Sequence, residues 1–331
     1  MKKDTANVKN PIQNIVTKSN VIKVVAIIAI YLLITFLVNE NILNRQMKSL
    51  LVPIGINIIL AVSLNLTTGF LGELSLGHAG FMAIGAYSGA IFTLKSNMPD
   101  AIAFILGMLI GGVVAAVFGV LIGVPVLRLK GDYLAIVTLA FGEIIRSIVN
   151  SLSITGGAMG LSKIPRYTNY TWVYVIVIIT LIIITNLVHS RHGRAISSIR
   201  DNYIAAESIG IKVSRYKIMA FVIAAFFAGV AGVLYGHNLS ILKPADFDYN
   251  KSIEILVIVV LGGMGSIRGS VIAAIILTLL PEMLRAADDF RMLLYAVVLI
   301  ALMLFNSSGL RSRLEESGKL PKLPVLKSRV K

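Results

Sequence analysis

The residues of this sequence that could carry chemistry are few, and they stand inside apolar runs. Glu73, Ser75 and His78 fall within GFLGELSLGHAGFMAIGAYSG (69–89), Glu143 and Arg146 lie three apart in another run, and Ser266 follows the cluster GGMG. Ser75 and His78 are near enough to suggest a nucleophile and a base. No third group is spaced to orient the histidine, however, and the only histidines are 78, 189, 192 and 237, so we set a hydrolase aside. Without cysteine there is no thiolate zinc site, catalytic thiol or disulfide framework. A phosphate-binding loop of the form G-x-x-x-x-G-K-[ST] is also missing, because Gly318 and Lys319 are followed by Leu320. No cofactor or metal is implied, and if ATP drives this protein, another chain binds it.

Glu143 and Arg146 demand a different explanation. A charge in the middle of a membrane span costs about 2.5–3.5 kcal/mol on insertion scales unless it is paired or faces a polar cavity. Their i, i+3 spacing puts both on one helix face. They either line or gate a path through the membrane, or form a self-compensated pair against a partner subunit. Asn65, Glu73, Ser75 and His78 join Glu143 and Arg146 as candidates for the path.

The elements that must position them are membrane helices. The chain has 331 residues, 56% hydrophobic and 14% charged, with a mean hydropathy of +0.85; soluble domains are about a quarter charged. This predicts an all-α, polytopic membrane bundle of about 8 to 10 helices, with re-entrant segments expected at the glycine-rich stretches. The net charge of +15 resides in short loops and tails and never forms a face with interleaved aromatics, so it signals topology and not nucleic acid. Met1, Lys2 and Lys3 open a tail of about twenty mostly polar residues, which reads as a retained first span with no removed signal peptide. We divide the chain into a cytoplasmic tail (1–20), a transmembrane domain (21–305) and a basic cytoplasmic tail (306–331).

Apolar runs cover 21–38, 50–68, 101–127, 133–152, 172–188, 218–240, 270–284 and 292–305, with a short one at 253–261. Pro53 falls in the first turn of the second run, where proline is tolerated. The stretch 69–89 has glycines at 69, 72, 77, 80, 85 and 89, so part of it should leave regular helix near Glu73 and His78. Small residues recur every fourth position at Gly107, Gly111, Ala115, Gly119 and Gly123, and again at Ala224, Ala228, Gly232 and Gly236, which permits close helix approach. Thr155, Gly156, Gly157 and Gly160 read as a flexible external loop. Glycine-interrupted segments near 72–80 and 262–269 are where transporters often break helices.

The long polar insertion HSRHGRAISSIRDNYIAAESIGIKVSRYK (189–217) carries Arg191, Arg194, Arg200, Lys212, Arg215 and Lys217 against Asp201 and Glu207, so it is cytoplasmic. Within it we expect a short helix capped by Asp201 and ended by Gly210 in the left-handed conformation. Ile204, Ala205, Ile209 and Ile211 give it an apolar side, which suits either a lipid surface or another protein.

Taken together, GELSLGHAGFMAIGAY (72–87), LKGDYLAIVTLAFGEIIR (129–146), TGGAMGLSKIP (155–165), HGRAISSIRDNYIAAESIGI (192–211), AFFAGVAGVLYG (225–236) and VIVVLGGMGSIRGSVIAA (257–274) resemble the permease of bacterial branched-chain amino acid ABC importers, of the LivM type. The resemblance implies a bacterial inner-membrane permease, not an enzyme, with both termini cytoplasmic. It implies a second permease of the LivH type, two ATPases of the LivG and LivF types and an extracellular or periplasmic solute-binding protein, with lipid around the bundle. It makes 189–217 the ATPase-coupling loop, with Arg194, Arg200, Asp201, Ile204, Ala205, Ala206, Glu207 and Gly210 as its residues. Ala205, Ala206 and Gly210 fit the importer pattern Glu-Ala-Ala, three residues, Gly; Ile204 stands where the glutamate belongs. Related permeases carry urea or short amides, and a secondary transporter using Glu143 is the alternative from another class.

Overall fold

The computed structural model describes residues 18–40, 44–129 and 131–284, with 296, 297, 300 and 304. The tail up to residue 17, Lys130, the tail 306–331 and the rest of the tenth run expected over 292–305 lie outside the described residues. The chain divides into two compact units, Met1–Leu50 and Leu51–Lys331. The first contains α1 (Lys18–Asn39), which begins within the expected tail and exposes Val25, Ile28, Leu32 and Phe36.

The described elements are helical, and a single β-bridge joins Leu161 and Leu242. α2 (Arg45–Asn65) runs on through a π-helical turn, Leu66–Leu71. It starts five residues before the second apolar run, so Pro53 sits in the helix interior and not in its first turn. There follow α3 (His78–Lys95), α4 (Asp100–Val126), α5 (Asp132–Ser151) and α6 (Tyr170–His189). After the polar insertion come α9 (Val213–Leu239), α10 (Tyr249–Gly262) and α11 (Ile267–Met283). Among the described residues, five helices are long and apolar enough to cross a membrane: Arg45–Leu71, Asp100–Val126, Asp132–Ser151, Tyr170–His189 and Val213–Leu239.

α3, buried along most of its length, packs between α4 and α9. Glycine makes this possible. A Cβ on Gly85 would lie 2.2 Å from the Gly229 Cα, one on Gly111 2.8 Å from the Gly85 carbonyl, and one on Gly229 2.7 Å from the Gly111 carbonyl. Three backbones therefore meet where no larger residue fits, as the row on α4 leads one to expect. Gly232, from the row on α9, faces α3 in the same way: its Cβ would be 2.0 Å from the Met82 carbonyl.

Two departures from regular helix define the rest. Gly72 to Gly77 separate the π-helical turn from α3, at the break expected near Glu73 and His78. Beyond α9, the segment 240–248 leaves α-helix, with one 3-10 turn at Pro244–Phe247 and Leu242, Pro244 and Phe247 buried, and α10 starts only at Tyr249. At 14 residues α10 is about 21 Å long, well short of the ~30 Å hydrocarbon core. Other parts of the chain satisfy the non-α backbone of 240–248: Tyr87 Oη donates to the Leu242 carbonyl, and Leu161 and Leu242 exchange backbone hydrogen bonds at 2.9 Å. The glycine-rich loop after α5 folds into two short turns, Ser153–Thr155 and Gly157–Met159. Thr155 Oγ1 donates to Val149 and Leu152 carbonyls, and Gly156, Gly157 and Gly160 take positive φ between its turns.

Candidate functional site

The insertion 189–217 folds into two helices, α7 (Arg191–Asp201) and α8 (Tyr203–Ser208). Ser190 caps α7, accepting from the His192 and Gly193 amides. The cap of α8 is Asn202, whose Oδ1 accepts from the Ile204 and Ala205 amides at 3.1 Å. This corrects the expectation for Asp201, which ends α7 and accepts from Arg200. Two adjacent residues with capping chemistry competed, and the helical conformation of the first left the second to cap. Gly210 closes the other end at φ +88°, with Gly210 N–H on the Glu207 carbonyl and Ile211 N–H on that of Ala206, the paired bonds of a Schellman motif.

Beneath these helices is a small core of its own: Leu66 and Leu71 from the π-helical turn, Ile196 and Ile199 from α7, Ala206 from α8 and Ala220 from α9. Ala206 is 2% exposed and anchors α8. Ile204 and Ile209 point away, 63% and 75% exposed. Arg194 and Glu207 are also exposed; Arg194 donates to the His189 carbonyl, and Glu207 has no ion-pair partner among the described residues.

Arg200 ties this loop to the broken helices. Its Nη1 donates to the Gly69 carbonyl at 3.1 Å, and its Cγ occupies the place where a Cβ on Gly72 would be 2.6 Å away. Gly69 in turn makes room for Asn65: a Cβ there would be 1.8 Å from Asn65 Oδ1. Asn65 is fully buried. Its Oδ1 accepts from the Gly265 amide at 2.8 Å, and its Nδ2 donates to the Ser266 carbonyl and to Ser270 Oγ. The glycine break after α2 and the GGMGSIRG turn between α10 and α11 therefore meet, and Asn65 is the staple between them.

Of the remaining path candidates, Glu73, itself half-buried, forms an ion pair with the buried Lys217 in the first turns of α9. Ser75 is buried within the break, and His78 Nε2 lies 2.9 Å from Ser63 Oγ, also buried. With Asn65, these three flank the break between α2 and α3. Glu143 and Arg146 stand at partly exposed positions on α5, where Glu143 lines a small cleft with Leu76, Ala79 and Gly80 next to the break; Arg146 Nε and Nη2 both reach Glu143 Oε2, at 2.8 and 2.7 Å. Glu143 Oε1 accepts from the Tyr249 amide at 3.1 Å and so caps α10. An open cavity of about 210 Å³ adjoins, lined by Arg146, Ser147, Asn150, Ala158, Pro244 and Ala245. Sequence reasoning missed Lys217, which read as one more loop charge, and Ser270 and Asn202, whose neutral side chains give no signal until their partners are known.

Among the described residues, then, five apolar spans carry two stapled helix breaks and a polar insertion that presents exposed isoleucines. Residues 46–305 match the family described as the branched-chain amino acid transport system permease component. This chain belongs to that family. It is 37% identical over 290 residues to the high-affinity branched-chain amino acid transport system permease protein LivM of Escherichia coli (strain K12), covering 77% of this chain and 67% of the relative. It is 24% identical over 284 residues to LivH of the same organism, covering 78% and 91%, and 26% identical over 244 residues to the fructose import permease protein FruG of Bifidobacterium longum (strain NCC 2705), covering 67% and 70%. No solved structure matches it. The chain is thus a multi-pass membrane permease subunit of an ABC importer and not an enzyme, and its likeness to both LivM and LivH points to a permease pair.

Proposed function

We propose that this permease imports branched-chain amino acids across a bacterial inner membrane, paired with a LivH-type permease. Two ATPases of the LivG and LivF types drive it, and a solute-binding protein outside the cell delivers the substrate. Both termini are cytoplasmic, as is the loop 189–217. The substrate assignment rests on the names of the LivM and LivH relatives; the FruG likeness shows that related scaffolds carry other cargo, so urea, short amides or sugars are the alternatives to be tested.

The observation that carries the coupling role is the exposure of Ile204 and Ile209 on a helix clamped by Asn202 and Gly210 and seated on its own core. An apolar pair held so rigidly fits a groove in a partner chain. Movement of the ATPases tilts α7 and α8, and Arg200 carries the tilt to the broken helices. In this reading Asn65, Glu73, Ser75 and His78 form the joint that bends along the path, and Glu143 and Arg146 stand on its wall.

The test is purification in mild detergent from the native membrane, followed by ATP-dependent uptake of labelled leucine into proteoliposomes. Two ATPases with phosphate-binding loops and a second permease are expected to copurify, with uptake requiring ATP and the binding protein. Recovery of this chain alone, active without ATP, would make it a secondary transporter.

A further inference from the structure

The cavity beside α5 combines features that recognise one kind of molecule. Glu143 and Arg146 are the twelfth and fifteenth residues of a 20-residue helix about 30 Å long, so the pair sits in its C-terminal half. Glu143 takes Nε and Nη2 of Arg146 on a single oxygen and spends its other oxygen on the α10 amide, which leaves Arg146 Nη1 with no partner among the described residues. Ser147 and Asn150, on the same side of α5, are exposed beside it. The first amides of α10 are already satisfied, Tyr249 N–H by Glu143 and Lys251 N–H by Asp248, so the attraction comes from the guanidinium and not from the helix end. Across the cavity, Ala158, Pro244 and Ala245 offer a small apolar wall. The space therefore has one cationic, planar donor edge, two neutral polar groups and an apolar side.

We infer that Arg146 holds the carboxylate of an aliphatic amino acid as it passes, with Ser147 and Asn150 beside it and the side chain against Ala158, Pro244 and Ala245. A guanidinium suits a carboxylate because its donors are coplanar and spaced for two oxygens. Glu143 is the positioning residue: it fixes the ring of donors and offsets the charge, so the carboxylate is guided without being trapped. This inference rests on the proposed import of amino acids.

Its test uses the whole importer in proteoliposomes, with leucine delivered by saturating binding protein. Arg146→Gln is expected to lower leucine uptake at least tenfold while the subunits still copurify and basal ATP hydrolysis is unchanged. Arg146→Lys, which keeps the charge but not the fork, is expected to recover part of the loss. Ala245→Trp, at an exposed position that leaves the core alone, should block the cavity and reduce uptake comparably; it decides the matter if Arg146→Gln does not assemble. Wild-type uptake in either Arg146→Gln or Ala245→Trp overturns the inference and leaves the importer reading in place. Absence of leucine uptake by the wild-type vesicles instead removes the amino-acid reading itself, and the inference with it.

Discussion

Arg200 Nη1 donates to the carbonyl of Gly69 at 3.1 Å, so the last turn of α7 is joined directly to the π-helical turn that ends α2. Short π-helical segments recur at functional sites because they expose backbone groups that a regular helix would satisfy internally. Here the Gly69 carbonyl is the attachment point for α7.

If that bond transmits motion, removing it should separate ATP hydrolysis from transport. A hydrogen bond involving a charged group is worth about 1.5–3 kcal/mol, enough to shift a two-state joint roughly ten- to a hundredfold. Arg200→Ala is expected to bind the ATPases through the intact α8 and to hydrolyse ATP, yet to lose most uptake. The ratio of leucine moved to ATP hydrolysed in proteoliposomes measures this; an unchanged ratio would falsify the role of Arg200.

The docking surface and its support are separable. Ile209→Asp places a charge on an exposed position and should leave the permease folded while the ATPases fail to copurify. Ala206→Asp instead buries a charge in the core shared with Leu66, Ile196 and Ala220, so the chain should accumulate poorly even with its partners coexpressed. Gly210→Ala meets no atom within 4 Å but must hold φ +88°, a strain of about 1–2 kcal/mol, and should weaken docking without abolishing it. Copurification yields for the three variants check the order.

Much of this was legible in the sequence because it follows from local periodicity. Hydropathy located the spans, spacing of small residues located the close crossings, and glycine density located both breaks. What the sequence withheld was long-range pairing. Nothing near Asn65 predicts Gly265 and Ser270, 200 or more residues away, and nothing near Lys217 marks it as the partner of Glu73. Glu143 and Arg146 were visible as a pair, but the second carboxylate oxygen of Glu143 finds its partner in α10, whose start at Tyr249 no apolar run announces. Gly229 lies off the fourfold row on α9 and was not singled out, although it meets Gly85 and Gly111 at the closest crossing.

The turn between α10 and α11 should be intolerant in a graded way. A Cβ on Gly269 would sit 1.7 Å from the Gly262 carbonyl, so Gly269→Ala is expected to prevent accumulation of folded protein. Asn65→Leu keeps the shape but strands the Gly265 amide, an orphaned group costing about 1–3 kcal/mol, and removes the donor that Ser270 Oγ accepts from. It should fold with a lowered melting temperature in detergent, and a thermal stability equal to wild type would show that Asn65 is not the staple.

Glu73 and Lys217 give a test that bears on mechanism as well as on stability. Removing one member of a buried ion pair leaves the other uncompensated, at a cost of about 3–5 kcal/mol, whereas replacing both with neutral groups is often close to neutral. Glu73→Gln and Lys217→Met should each destabilise the permease, and the double variant should recover most of the loss. A proton-coupled carrier could not tolerate Glu73→Gln in any background, since the carboxylate would be the group that binds the proton. An ATP-driven importer could, because the pair only holds the break against α9. Uptake by the double variant at near wild-type rate therefore supports a structural pair, and a folded double variant that transports nothing would return Glu73 to the transport chemistry.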